Sequence, residues 1–202
     1  MKKSRFLGLY IPLFLTAFLI SCGSRQFTEG SYDDPDKVRL LNDEFNESDA
    51  QQLAQEMINS LQQAPAILSA KKPPIVQMEI VRNKTSEHID TKMITDAVRT
   101  ALIKTGKIQF SNKEDRDLRE GEVDYALDSG RYKKSSQKDR AGGVAPDYLI
   151  TGDLISNVQQ VGSKKLIYYK LTLNMTDLES GLIAWSEEKP IRKKFKKQSV
   201  GL

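Results

Sequence analysis

Apolar residues recur along the chain in three patterns. The first is an unbroken run at residues 6–20, FLGLYIPLFLTAFLI, behind Lys2, Lys3 and Arg5. Its 15 residues fall short of the ~20 that a bilayer-spanning helix needs. A positive n-region and a short apolar h-region make a signal peptide; an uncleaved anchor is the alternative. The second pattern has three- and four-residue steps. Leu53, Met57, Leu61, Ala64 and Leu68, with Ile58 beside them, predict an amphipathic helix. It opens at Asn46 or Ser48, where Ser48 and Gln51 have capping-box spacing, and Pro65 disturbs its last turn. Met93, Ile94, Ala97, Val98, Ala101 and Leu102 predict a second helix over 90–105, closed by Gly106. A charged stretch at 114–133 predicts a third, weakened by Gly121 and Gly130. The third pattern is alternation or a short apolar run, at 75–81, 108–110, 148–158, 166–175 and from 182 onward. The links between the last three strands are too short for helical crossovers, which predicts an antiparallel meander. The order α, β, α, β, α, β, β, β predicts an α/β fold: a two-layer or three-layer-like sandwich, with helices packed on a mixed sheet of about five strands.

Polar stretches divide the chain. Between residues 28 and 49 there are eight acidic and two basic residues, with Gly30 and Pro35. This composition predicts a flexible tether, on which Phe27, Leu40, Leu41 and Phe45 are candidates to dock. The expected organisation is a signal peptide at 1–21, a tether at 22–45 and a single globular domain at 46–202. Residues 82–88 and 131–143 are expected as loops.

Charge changes the picture once the first segment is set aside. The 202 residues carry a formal +4. Without Lys2, Lys3 and Arg5 the 31 basic residues become 28 against 27 acidic. A nearly neutral mature chain gives no ground for nucleic-acid binding. One Cys excludes an intramolecular disulfide and a Cys-based zinc site, and one His excludes a His cluster. That Cys closes the apolar run, as Leu19-Ile20-Ser21-Cys22. The sequence resembles the bacterial lipoprotein processing box. The resemblance implies cleavage between Ser21 and Cys22 and acylation of Cys22, and Gly23 in place of Asp favours the outer membrane. Two or more acyl chains anchor stably, at ~0.8 kcal/mol per buried methylene.

Candidate chemistry is sparse. The chain has no GxGxxG and no GxxxxGK[ST]. His88 lies between Glu87 and Asp90, too close in sequence for a triad assembled from separate elements. It reads as a loop residue beside a helix capped by Asp90. Asp115, Asp117, Glu120 and Glu122 are interleaved with Arg116 and Arg119, as on a solvated helix face. Tyr168 and Tyr169 point to opposite faces of one strand, which places one in the core, and Trp185 is expected as a core anchor. Neither a metal site nor a cofactor is expected. Residues 189–197 hold six basic residues in nine. With Lys164 and Lys165, the residues Arg192, Lys193 and Lys194 form a candidate partner surface of exposed side chains. The alternative is a solvated edge strand kept soluble by its lysines.

Three stretches carry a family likeness: RNKTSEHIDTK at 82–92, continuing to GKIQF at 106–110; PDYLITG at 146–152; and 168–186, ending TDLESGLIAWS. In this order, behind a lipoprotein box, they resemble the LpoB-type lipoprotein activators of penicillin-binding proteins. The resemblance implies a fold like the N-terminal domain of TolB and no catalysis. It implies an outer-membrane lipoprotein, facing the periplasm, that binds and stimulates a bifunctional peptidoglycan synthase, a class A penicillin-binding protein. A tether of about 24 residues is shorter than the Pro-rich tethers of the best-known members. A monomer is expected on this reading. The competing reading is a structural or secretion-assembly lipoprotein of the cell envelope acting through oligomers, and a periplasmic hydrolase lacks its constellation.

Overall fold

The structure is a computed structural model that describes residues 30–34 and 37–197. By its contacts the chain divides after Pro35. Residues 30–34 carry no regular secondary structure. The second unit holds the fold.

Helix α1 spans Glu47–Leu61. Leu53, Met57 and Leu61 recur every four residues and are fully buried. Of the two candidate caps, Asn46 is the one used. Its side chain accepts from the Asp49 amide, and Asp49 accepts from the Asn46 amide, a capping box. The helix stops at Leu61, and the chain re-enters a short helix α2, Pro65–Leu68, with Pro65 in the first turn. A proline has no N–H to donate there and needs none. Strand β1 is Ile75–Met78 and strand β2 is Arg82–Lys84. The sequence pattern placed β2 in a loop, because Arg-Asn-Lys offers no apolar alternation. Pairing makes it a strand: it runs parallel to Asp153, Leu154 and Ile155, and Arg82 Nε and Lys84 Nζ both reach the Asp153 carboxylate, at 2.6 and 2.9 Å. Helix α3, Lys92–Lys104, buries Ile94, Val98 and Leu102. The N-cap position is Thr91, without a side-chain cap bond, and not the expected Asp90, whose Oδ1 accepts from the Lys92 amide at 3.0 Å from one residue further out. Thr95 Oγ1 accepts from the Val81 amide at 3.1 Å, and the Thr91 hydroxyl donates to the Val81 carbonyl, tying α3 to the strands.

Strand β3 is Gln109–Phe110 and helix α4 is Arg116–Asp128, followed by a 3-10 turn at Lys134–Ser136. Strands β4 (Tyr148–Val161), β5 (Lys164–Asp177) and β6 (Ile183–Lys196) are each 14 residues long, roughly 45 Å. The six strands form one mixed sheet in the order β3-β1-β4-β5-β6, with β2 beside β4. β1 is parallel to β3 and β4, and β4–β5–β6 is the expected antiparallel meander. The β4–β5 turn is two residues, with Gly162 at φ +56° in its first position, the backbone of a type II′ hairpin turn.

Buried residues mark a single core face. On β4 they are Ile150, Gly152 and Leu154; on β5, Ile167, Tyr169, Leu171, Leu173 and Met175. The intervening positions are half-buried or exposed, so the sandwich has two layers and an open face. Trp185 is 9% exposed and donates from Nε1 to Ser60 Oγ, joining β6 to α1. Gly152 leaves no room for a side chain against β5. A Cβ there would lie 2.2 Å from Leu173 Cδ2 and 2.6 Å from the Thr172 carbonyl oxygen. Among the described residues no helix is long and apolar enough to cross a membrane.

Candidate partner-docking site

The three long strands run past the strands beside β4. β1 pairs with β4 as far as Ile150, and β2 as far as Ile155. Beyond that point the β4–β5–β6 meander forms an arm. Strand alternation divides its side chains between two faces. Register places Asn157, Gln159 and Val161 of β4 beside Lys164, Leu166 and Tyr168 of β5, and these beside Arg192, Lys194 and Lys196 of β6, all on the open face. Arg192 lies 5.9 Å from the centre of the Tyr168 ring. Asn157, Gln159, Leu166, Tyr168 and Arg192 border a shallow cleft of about 280 Å³. Lys164, Arg192 and Lys194 are exposed and make no ion pair with a described carboxylate. Lys196 and Lys197 are exposed near them and extend the same charge.

Lys165 and Lys193 belong to the other face. Lys193 was expected at the surface and is 3% exposed. It occupies the same phase of β6 as Trp185 and Ile191, so it points under the helix layer. Its Nζ lies 2.6 Å from Asp49 Oδ2 and donates to the Glu44 carbonyl at 2.6 Å. Lysine 165 pairs with Asp43 at 2.7 Å, and that hydrogen bond holds the Asp43 carboxyl below its ordinary range. These contacts fasten the chain just ahead of α1. The Phe45 ring meets Tyr169 edge-on at 5.3 Å, and the Phe45 amide donates to Glu87 Oε2 at 2.8 Å. The Tyr169 hydroxyl donates to the other Glu87 oxygen. Burial, and then this bond to Glu87, push the Tyr169 phenol well above its ordinary value. Leu40 and Leu41 remain exposed. The basic cluster thus splits by phase, into free cations on the open face and an internal clamp opposite. The alternation Trp185, Ile191, Lys193, Phe195 was the available signal.

Elsewhere, several carboxylates are engaged in structure. A wide depression at the opposite end of the sheet includes Asp147 and Asp177. Asp147 accepts from the Ile75 amide at 2.8 Å, and Asp177 accepts from the Glu179 and Ser180 amides. His88 is exposed in its loop, and the α4 carboxylates Asp124 and Asp128 pair with Arg140. Among the described residues no group of three His, Cys, Asp or Glu side chains is placed to hold a metal ion. Ser21 and Cys22 lie outside the described residues.

The family model of the peptidoglycan-synthase activator LpoB matches residues 49–191 of the 202. No curated protein matches significantly. Among solved structures, the LpoB C-terminal domain from Salmonella enterica is 15% identical, with 72% of this chain and 99% of that chain covered, at a TM-score of 0.48. The LpoB C-terminal domain from Escherichia coli is 17% identical, covering 71% and 98%, at 0.45. Lipoprotein GNA1162 from Neisseria meningitidis is 12% identical, covering 63% and 88%, at 0.40. The family assignment rests on the family model alone, since each of these TM-scores is below 0.5.

Proposed function

Because the chain belongs to the LpoB family of peptidoglycan-synthase activators, we propose that it is a non-enzymatic lipoprotein that binds and stimulates a bifunctional class A penicillin-binding protein. The family match carries this reading. It works from the periplasmic face of the outer membrane, held by acyl chains on Cys22 after cleavage at Ser21–Cys22. Residues 22–45 then serve as the tether; Arg39, Asp43, Glu44 and Phe45 bond to the domain, so the reach comes from residues 22–38, roughly 60 Å at full extension. The docking surface is the open face of the arm, where Lys164, Arg192 and Lys194 present unpaired charge. Like charges gathered on a nearly neutral chain speed encounter with an acidic patch. Docking stimulates the synthase by binding its active conformation more tightly than its inactive one. The acting form is a monomer.

Two measurements test this. Labelled palmitate should enter the wild type and not Cys22→Ala, and only the wild type should fractionate with membranes. The detergent-solubilised full chain should bind a solubilised class A synthase one to one, with affinity that falls as salt rises. Membrane-bound, unlabelled Cys22→Ala would remove the lipid anchor from the account. No complex with any class A synthase of the same cell would remove the partner.

A further inference from the structure

The edges of the sheet are defended unequally. β3 is two residues long. β6 carries Glu187, Glu188, Lys189, Arg192, Lys194 and Lys196, and is interrupted by Pro190. Short length, charge and proline are the usual means by which an edge refuses an added strand. The far end of β4 has none of them. Residues 156–161 read Ser-Asn-Val-Gln-Gln-Val, without charge or proline. They pair with β5 in unbroken register, and no described strand lies on their other side. Residues 157–161 are exposed. In an extended strand successive residues aim their N–H and C=O groups to opposite sides. Every second residue of this stretch therefore turns its backbone pair away from β5, to where no described strand stands.

We propose that the free edge of β4, residues 156–161, takes up an extended, carboxylate-rich segment of the synthase as an added strand. This rests on the synthase reading above and names how the synthase is gripped. Charge selects the occupant. Arm residues 156–169 and 189–197 hold no acidic residue, and Lys164, Arg192, Lys194, Lys196 and Lys197 keep their charge there, while Lys165, Lys189 and Lys193 pair with Asp43, Glu56 and Asp49. A second copy laid edge to edge would bring two such arms together, with like charges opposed; an acidic strand meets the opposite sign. Main-chain hydrogen bonds along the edge supply affinity, and alternate side chains supply specificity. Side chains of the added strand on the open face lie beside Asn157 and Gln159, at the mouth of the cleft that Leu166, Tyr168 and Arg192 line. That cleft accepts a carboxylate against Arg192 and its stem against Tyr168 and Leu166.

Amide hydrogen exchange on the full chain in detergent, with and without solubilised class A synthase, tests the proposal. The outward amides of 156–161 should slow about tenfold or more on binding, while those of β6 stay unchanged. Val158→Pro and Gln159→Pro provide a second measurement. One of the two removes an outward donor and leaves the β4–β5 ladder whole; the other breaks that ladder. The variant that keeps wild-type thermal unfolding should bind about tenfold or more weakly. A complex whose 156–161 amides exchange as in the free chain overturns the edge as the grip, as does a folded proline variant of unchanged affinity. If both variants unfold, the exchange result decides alone. Protection of 156–161 that grows with chain concentration in the absence of synthase would overturn the acidic occupant in favour of a second copy. Failure to form any complex would instead sink the synthase reading, and this proposal with it.

Discussion

Lys193 and Lys194 are neighbours in the chain, and their side chains leave the strand on opposite faces. Lys193 and its partner Asp49 have side chains only 2% and 4% exposed. Removing one member of such a pair strands a charge away from water, so Lys193→Ala should cost about 3–5 kcal/mol. Lys194→Ala, on the open face, should stay within about 0.5 kcal/mol of wild type. Chemical denaturation of both variants checks the contrast; equal midpoints would mean the clamp is not closed. Tyr169 makes a pH prediction. Its folded phenol titrates above its ordinary 10.0, because burial and Glu87 favour the neutral form. The stability it contributes is therefore fully present below pH 10.0 and is lost as pH rises beyond it. Wild-type stability should fall more steeply above that pH than that of Tyr169→Phe, as measured by denaturation at a series of alkaline pH values.

At the scale of elements, what the sequence made legible followed from where the apolar signal lies. Leu53, Met57 and Leu61 gave α1, and the alternation around Tyr169 gave β5 and its core face. Strand β4 runs three residues past its expected end at residue 158, because Gln159, Gln160 and Val161 are held by β5 rather than by burial. β2 escaped for the same reason. The three family-like stretches hold residues of β2, β3, β4, β5 and β6 together with the turns that join them, such as Asp177 capping the β5–β6 turn and Gly152 fitting against β5. Of the docking face they include only Tyr168. That face was legible as a surplus of Lys and Arg, but sorting Lys193 from Lys194 required the phase of the strand. Helix α4 offers a further test. It was expected from charge pattern, and none of its residues is buried. Its backbone hydrogen bonds are therefore open to water, and its amides should exchange much faster than those of α1 and α3. Equal protection would show that something in the folded chain covers α4.

At the scale of the fold, the far ends of β4, β5 and β6 form a basic arm on a two-layer domain. Exchanging Lys193 for Lys164 in a charge-reversal set follows directly, since the former holds the fold and the latter is exposed. The central claim is that this arm docks on a synthase and stimulates it. The most direct test is the rate of glycan polymerisation by a purified class A penicillin-binding protein, as full-length wild type or the Lys164→Glu, Arg192→Glu, Lys194→Glu variant is titrated in. The account predicts saturable stimulation by wild type, and a folded variant that needs about tenfold or more protein for the same effect, equal to roughly 1.4 kcal/mol of docking energy. No stimulation by wild type, or identical titration curves for the two proteins, would contradict it.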